Sequence, residues 1–425
     1  MALSKDFIVR RGIVVNANTT VPASDNLITT NIVRTPAAPS LDLNFTRSNI
    51  LDPRVSFSRA SGATCIGPNG IMLNVGNNTP RFDYDIATGQ NKGLLMEESR
   101  TNLISISANP TSAQLNAATS NTFVISYDIP PLNSAATVFK STRNTSQSDN
   151  NVGYLGDAPV LSTSSVSVVS IWVYVPAATT ITTINLSFEG LSYSPLNAFD
   201  TTKRDQWQRI SSTCTSNTTT GVLSCLRPTG MVTGGYFYST CWQTEAGSWP
   251  TSYIPTNSTT VTRAADAASI SGTAFNNFYN QTQGSLYIES WMPGSRSATS
   301  SFSTALYNSA NNYIGMQYVN SVGLYVGVVY VVTNGVSSAT SGNASNQSFN
   351  AFHKEVVSFN SSSIITYHDG QQITHGTYVA PPQVTQLSIG SRNGLGTDFT
   401  FNGSIRRITY WSQQMSNTQL QQLTS

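Results

Sequence analysis

Charged side chains are scarce in this sequence. Its 22 Lys and Arg and 20 Asp and Glu make up 10% of 425 residues, against about 25% in ordinary folded domains. The net charge of +2 excludes the basic footprint that nucleic acid or an anionic membrane surface demands. Two adjacent basic pairs, Arg10-Arg11 and Arg406-Arg407, read as solvated edges or as partners for the few acids. Long apolar runs are missing too, and no window approaches the roughly 18 residues of a membrane span. Charges interrupt every apolar stretch of Met1–Val15, so no secretory signal is visible and synthesis without export is expected. Cysteines are few. Cys65, Cys214, Cys225 and Cys241 form no CxxC pair and have no histidine at zinc-finger spacing. Cys214 and Cys225 could face each other across a hairpin through Thr218–Gly221, but small, buried, reduced thiols are the preferred reading.

Helical periodicity is almost absent, and aromatic and uncharged polar residues dominate. With 17 Phe, 18 Tyr and 6 Trp the chain can bury enough apolar surface to offset chain entropy, which excludes disorder. Ser, Thr, Asn and Gln must supply the polar surface. Short runs alternate apolar with polar residues between Gly, Pro, Asn and Ser, the pattern of strands. Ile184, Leu186 and Phe188 share one face, as do Val169, Ile171, Val173 and Val175 opposite Trp172 and Tyr174. Tyr236, Tyr238, Thr240 and Trp242 are expected opposite Phe237 and Cys241. Leu324–Val332 is apolar on both faces, which fits a strand buried between layers. Asp369-Gly370, between Ile364–His368 and Gln371–Thr374, predicts a type I′ hairpin turn, where both positions need positive φ. One good helix is expected, capped by Ser416 and Gln419 with Leu420 and Leu423 on one face. The fold class is all-β, with β-sandwiches. Thr35–Ser40 and Tyr253–Thr260 read as linkers.

Few residues carry chemistry. His353, His368 and His375 lie near the C-terminus, and His368 and His375 flank the hairpin. With Asp369 the one acid close by, exposed turn histidines are preferred over a metal site. No GxSxG nucleophile motif is present, and Gly394-Leu-Gly396 precedes no helix, so it makes no phosphate loop. Glycan-cleaving enzymes pair two carboxylates, for which Asp83/Asp85 and Glu97/Glu98 are the candidates. Arg81 and Arg100 stand beside them, as in structural ion pairs. Trp172, Trp207, Trp242 and Trp411 fall within strand patterns and should pack in cores. Trp249, in the loop Gly247-Ser-Trp-Pro250, is the better candidate for exposure and for stacking on a sugar.

Several runs have fixed residues in fixed order. Phe57-Ser-Arg-Ala-Ser-Gly-Ala-Thr64, Pro80-Arg-Phe-Asp-Tyr-Asp85 and Gly93-Leu-Leu-Met-Glu-Glu-Ser-Arg-Thr-Asn-Leu103 come first. Trp242-Gln-Thr-Glu-Ala-Gly-Ser-Trp-Pro-Thr-Ser-Tyr-Ile-Pro255 and Val261-Thr-Arg-Ala-Ala-Asp266 follow. Together they resemble head-spike or fibre proteins of tailed bacteriophages. The opening Ala2-Leu-Ser-Lys-Asp-Phe-Ile-Val is similar to the N-termini of structural proteins of marine and cyanobacterial myophages. The middle resembles jelly-roll modules of phage fibres and carbohydrate-binding domains. The C-terminal part, through Asp369-Gly370, Leu387-Ser-Ile-Gly390 and Phe401-Asn-Gly-Ser-Ile-Arg-Arg-Ile408, resembles a concanavalin A-like, laminin-G-like sandwich.

The resemblance implies four regions: an anchoring segment and linker at 1–40, spike-type motifs at 41–103, a jelly roll at 104–262 and a concanavalin A-like sandwich at 263–425. It implies a homotrimeric virion appendage assembled in the host cytoplasm and docked on capsid or on tail and baseplate proteins. Neither membrane insertion nor nucleic-acid binding is expected. Phe7, Ile8, Val9, Ile13 and Val14 are the expected docking residues, adding to a partner sheet or packing along a symmetry axis. No lectin-type calcium ligands are recognisable, so no metal, cofactor or catalytic residue is expected. A structural, non-enzymatic appendage is the leading reading, with attachment to the capsid slightly favoured. A tail-fibre adhesin recognising host glycan, with Trp249 in the site, stands second, and a glycan depolymerase third.

Overall fold

The alternating runs form antiparallel strands throughout. The computed structural model describes residues 7–10, 13–16, 38–110, 115–117, 121–143, 152–154, 158–218, 220–291, 301–321, 324–339 and 351–425. For 7–10, 13–16, 115–117, 121–123, 152–154, 320–321 and 324–326 it describes the backbone alone. The chain divides into two units, Met1–Thr35 and Pro36–Ser425. In the first, Phe7–Arg10 and Ile13–Asn16 form an antiparallel hairpin with Val9 opposite Val14. The side chains of Phe7, Ile8, Val9, Ile13 and Val14 lie outside the described residues.

The larger unit contains two β-sandwiches. In the middle one, a six-stranded sheet runs in the order Asn121–Ile125, Phe139–Arg143, Tyr236–Ala246, Val166–Tyr174, Trp207–Thr215, Tyr193–Asn197. It packs on a four-stranded sheet of Leu115–Ala117, Val152–Tyr154, Ser224–Thr229 and Thr183–Phe188. Val169, Ile171 and Val173 meet Ile184, Leu186, Phe188 and Leu226 in the shared core, as the alternation predicts. The expectation that Trp242 faces away from Phe237 fails for a local reason. Cys241 takes φ +58°, and the ladder with Val166–Tyr174 slips a register between Ser170 and Trp172. That bulge reverses the alternation beyond it. Trp242 therefore joins Phe237 in the core, while Cys241 packs with Trp172 on the opposite face. Cys214 and Cys225 do not share a hairpin, because their strands belong to different sheets. All four cysteines are free and buried.

The C-terminal sandwich has an eight-stranded and a seven-stranded sheet, and residues 41–96 complete both. Leu41–Asn44, Arg81–Tyr84 and Asn91–Met96 belong to the sheet of Gly403–Trp411. Ser56–Ser58 borders Ala267–Ser271 in the other. Leu43, Leu94 and Met96 pack in one core with Ile288, Val357, Leu387 and Ile408. The middle sandwich is therefore an insertion, and its entry strand Arg100–Asn102 zips antiparallel to its exit strand Val261–Arg263. The hairpin at Asp369 (φ +43°) and Gly370 (φ +80°) joins Ile364–His368 to Gln371–Ile373, as the turn chemistry predicts. The helix Asn417–Thr424 has its capping box at Ser416 and Gln419, and Leu420 is buried. No helix among the described residues is long and apolar enough to cross a membrane.

Candidate functional site

The runs at 57–64, 80–85, 93–103, 242–255 and 261–266 converge on one buried ion network at the insertion point. Asp266 pairs with Arg59 at 3.1 Å and with Arg81, and Arg81 pairs with Glu97 at 2.6 Å. Arg263 lies 3.4 Å from Glu97, and the Ser252 hydroxyl and N–H both donate to Glu97 at 2.6 Å. Burial alone would raise the Glu97 carboxyl. Arg263, Arg81 and Ser252 overcome this and hold it at about 2. Arg81 is thus not the partner of Asp83 and Asp85. Glu98 is tied to Arg100 at 2.5 Å and accepts from Asn402. Neither glutamate is available for chemistry.

Beside this network a cleft of about 550 Å³ opens, within the roughly 300–1,000 Å³ typical of small-ligand sites. All three segments line it. The motif region supplies Asp83, Asp85 and Lys92, and the middle sandwich Trp172, Trp207, Arg209 and Trp249. Trp291, Asn402 and Gly403 come from the C-terminal sandwich. Four of the six tryptophans therefore meet at one place. Trp207 and Trp291 are half-buried, with Tyr174 edge-on to Trp207 and Lys92 over the Trp291 ring. Trp172, 7% exposed, keeps its indole Nε1 without a hydrogen-bond partner.

The cleft has polar groups of both signs. Lys92 Nζ stands 3.8 Å from Asp83 and 4.0 Å from Asp85, and 4.6 Å above the Trp291 ring. Burial raises the Asp83 carboxyl, against Lys92 and the Ile66 N–H. At Asp85 burial is outweighed by the Thr88 N–H and hydroxyl and by Lys92, so its pKa is lowered. Arg209 donates to the Ser170 hydroxyl at 2.9 Å and forms no ion pair among the described residues.

Trp249 is not exposed as its loop position suggests. Glu245 accepts from the Thr251 N–H at 3.0 Å and from its hydroxyl at 2.5 Å. This draws the loop back onto its strand, leaving Trp249 only 9% exposed in the cleft wall. Trp242 and Trp411 are core residues, as expected. Trp207, expected in a core, instead lines the cleft half-buried, as does Trp291. Lys92 and Arg209 carried no local signal, since each needs a distant segment to complete the cleft. The histidines are not exposed turn residues. His353 and His368 are buried at 6% and 4% exposure and lie with Asp369, while His375 bonds Thr366 at 2.6 Å. Burial pushes His375 down to about 4.

No protein-family model and no curated protein matches the chain. Among solved structures it is similar to a CBM40 of Ruminococcus gnavus IT-sialidase bound to α2,6 sialyllactose. That match has 15% identity, covers 34% of this chain and 85% of that one, and has a TM-score of 0.28. The CBM22-1–CBM22-2 tandem domain of Paenibacillus barcinonensis Xyn10C gives 8% identity, 76% and 94% coverage, and 0.28. Trypanosoma rangeli sialidase in complex with the inhibitor DANA gives 9%, 72% and 52%, and 0.29. TM-scores this low carry no argument, and the site's chemistry stands on its own residues.

Proposed function

We propose that the chain is a glycan-binding adhesin carried on the virion of a tailed phage. The observation that supports binding is the convergence of Trp172, Trp207, Trp249 and Trp291 on one cleft that also holds Asp83, Asp85, Lys92 and Arg209. Sugar rings present an apolar face to an indole and hydroxyls to carboxylates, amides and cations, and this cleft offers both kinds of partner. The virion half of the reading rests on the spike-type runs and the N-terminal resemblance. A trimer, expected from that resemblance, would raise avidity by roughly 10²- to 10⁴-fold without new contacts.

Binding of the purified chain to host cells tests the first half. Trp207→Ala and Trp291→Ala remove half-buried rings and should each weaken binding about tenfold, near 1.4 kcal/mol. Unchanged binding by both variants overturns the cleft assignment. Immunogold labelling of intact virions tests the second half, with gold at capsid or tail expected and bare particles contradicting it. One observation favours a second reading, cleavage. Asp83 and Asp85 share the cleft with pKa values pushed in opposite directions, as an acid and its ionised partner require. Reducing ends released from host glycan, and abolished by Asp83→Asn, would establish it.

A further inference from the structure

A second cluster of chemistry-bearing side chains lies inside the C-terminal sandwich and lines no part of the cleft. Strand Phe352–Phe359 contributes His353 and Glu355, and strand Ile364–His368 contributes His368 directly opposite Glu355. The turn adds Asp369. His353 Nδ1 is 2.7 Å from Asp369 Oδ2, and His368 Nε2 is 3.3 Å from the same oxygen. The three donor atoms all lie within 4.8 Å of one another. Asp369 Oδ1 is engaged by the Lys354 N–H at 2.9 Å, which turns Oδ2 toward the histidines.

His368 shows that the cluster is more than a polar contact. Its Nδ1 is 2.8 Å from Glu355 Oε1, and Glu355 is 1% exposed. With Nδ1–H donating to Glu355, Nε2 is the ring nitrogen left to face the turn. That Nε2 is buried without a hydrogen-bond partner and faces a carboxylate oxygen. Nε2 and that oxygen stand 3.3 Å apart, a spacing that a shared cation, a proton or a metal ion, accommodates. Gly327 lets its backbone pack against this pair: a Cβ there would come within 2.0 Å of Glu355 Oε1 and 2.7 Å of His368 Nδ1 and Cε1, so the glycine preserves the Glu355–His368 contact.

We propose that His353, His368 and Asp369 bind a divalent first-row transition-metal ion of the zinc type, with Glu355 positioning His368. A tetrahedral ion with bonds of about 2.0–2.1 Å holds its donors roughly 3.3 Å apart. The His368–Asp369 separation already matches, the His353–Asp369 contact has to open by roughly half an ångström, and the two histidine donors, within 4.8 Å of each other, have to draw together around the ion. Two imidazoles and one carboxylate suit zinc and its neighbours, whereas calcium takes six to eight oxygens. Glu355 supplies the carboxylate–histidine contact that fixes a ligand's tautomer and orientation. Three protein donors leave one position for water, on the side where the Asp369 side chain is 40% exposed. The ion ties the hairpin turn to its neighbouring strand.

The test is calorimetric titration of the chelator-treated, full-length chain with zinc at neutral pH, followed by Co²⁺ substitution. One ion per chain is expected, with the intense visible bands of tetrahedral cobalt. Asp369→Asn keeps a residue that tolerates positive φ, so it should fold, as circular dichroism checks, and lose binding. Glu355→Gln should weaken binding by about 10- to 100-fold, and His375→Gln should leave it unchanged. A folded wild-type chain that takes up no zinc overturns the assignment. So does binding that survives in the folded Asp369→Asn variant and in His353→Gln/His368→Gln.

Discussion

Asp266 holds together segments more than two hundred residues apart in sequence. Its two oxygens take Arg59, Arg81 and the Glu97 N–H, so these charged residues of the runs at 57–64, 80–85, 93–103 and 261–266 are committed to an ion network and not to a substrate. Breaking a buried pair strands its partners, which costs about 3–5 kcal/mol, and Glu97→Gln should destabilise by that order. The pH dependence has a definite sign. Glu97 is held at about 2 in the folded chain against an ordinary 4.5. Its contribution is therefore complete above pH 4.5 and is lost as pH falls toward 2. Thermal midpoints of the wild type should drop across that window, and Glu97→Gln should start lower and lack this part of the slope. Equal slopes would contradict the assignment. Sequence alone suggested ion pairing here but chose neighbours, Arg81 with Asp83 and Asp85, because proximity along the chain is all it displays. The true partners are separated by 185 residues in the case of Arg81 and Asp266.

Elements governed by local rules were legible in the sequence, and those governed by long-range contacts were not. The Asp369-Gly370 turn and the Ser416 capping box follow from φ preference and from hydrogen bonds three residues apart, and both form as read. Ser416→Ala should cost about 1 kcal/mol, read as a lower denaturation midpoint with unchanged slope, and no change would mean the helix is held by Leu420 packing alone. The strand Tyr236–Ala246 was legible as a strand but not in its facing. A bulge at Cys241 adds a residue on one side, and no residue type there announces it. The loop holding Trp249 misled for a similar reason, since Glu245 anchors it from within the preceding strand.

At the scale of the whole molecule, the all-β class was readable from alternation, but the insertion was not. Strands from 41–96 sit in the C-terminal sandwich, so a truncation to residues 266–425 removes part of that core and cannot report on sugar binding. The same topology creates the cleft, because the inserted sandwich, the motif strands and Trp291 meet only when the chain returns at Val261. The cleft is therefore a property of the assembled unit. The most direct test is the structure of the full chain soaked with oligosaccharides prepared from the host cell surface. The account predicts sugar density in the cleft, stacked on Trp207 or Trp291 and within hydrogen-bonding reach of Asp83, Lys92 or Arg209. Density at another surface, with the cleft empty, would contradict it.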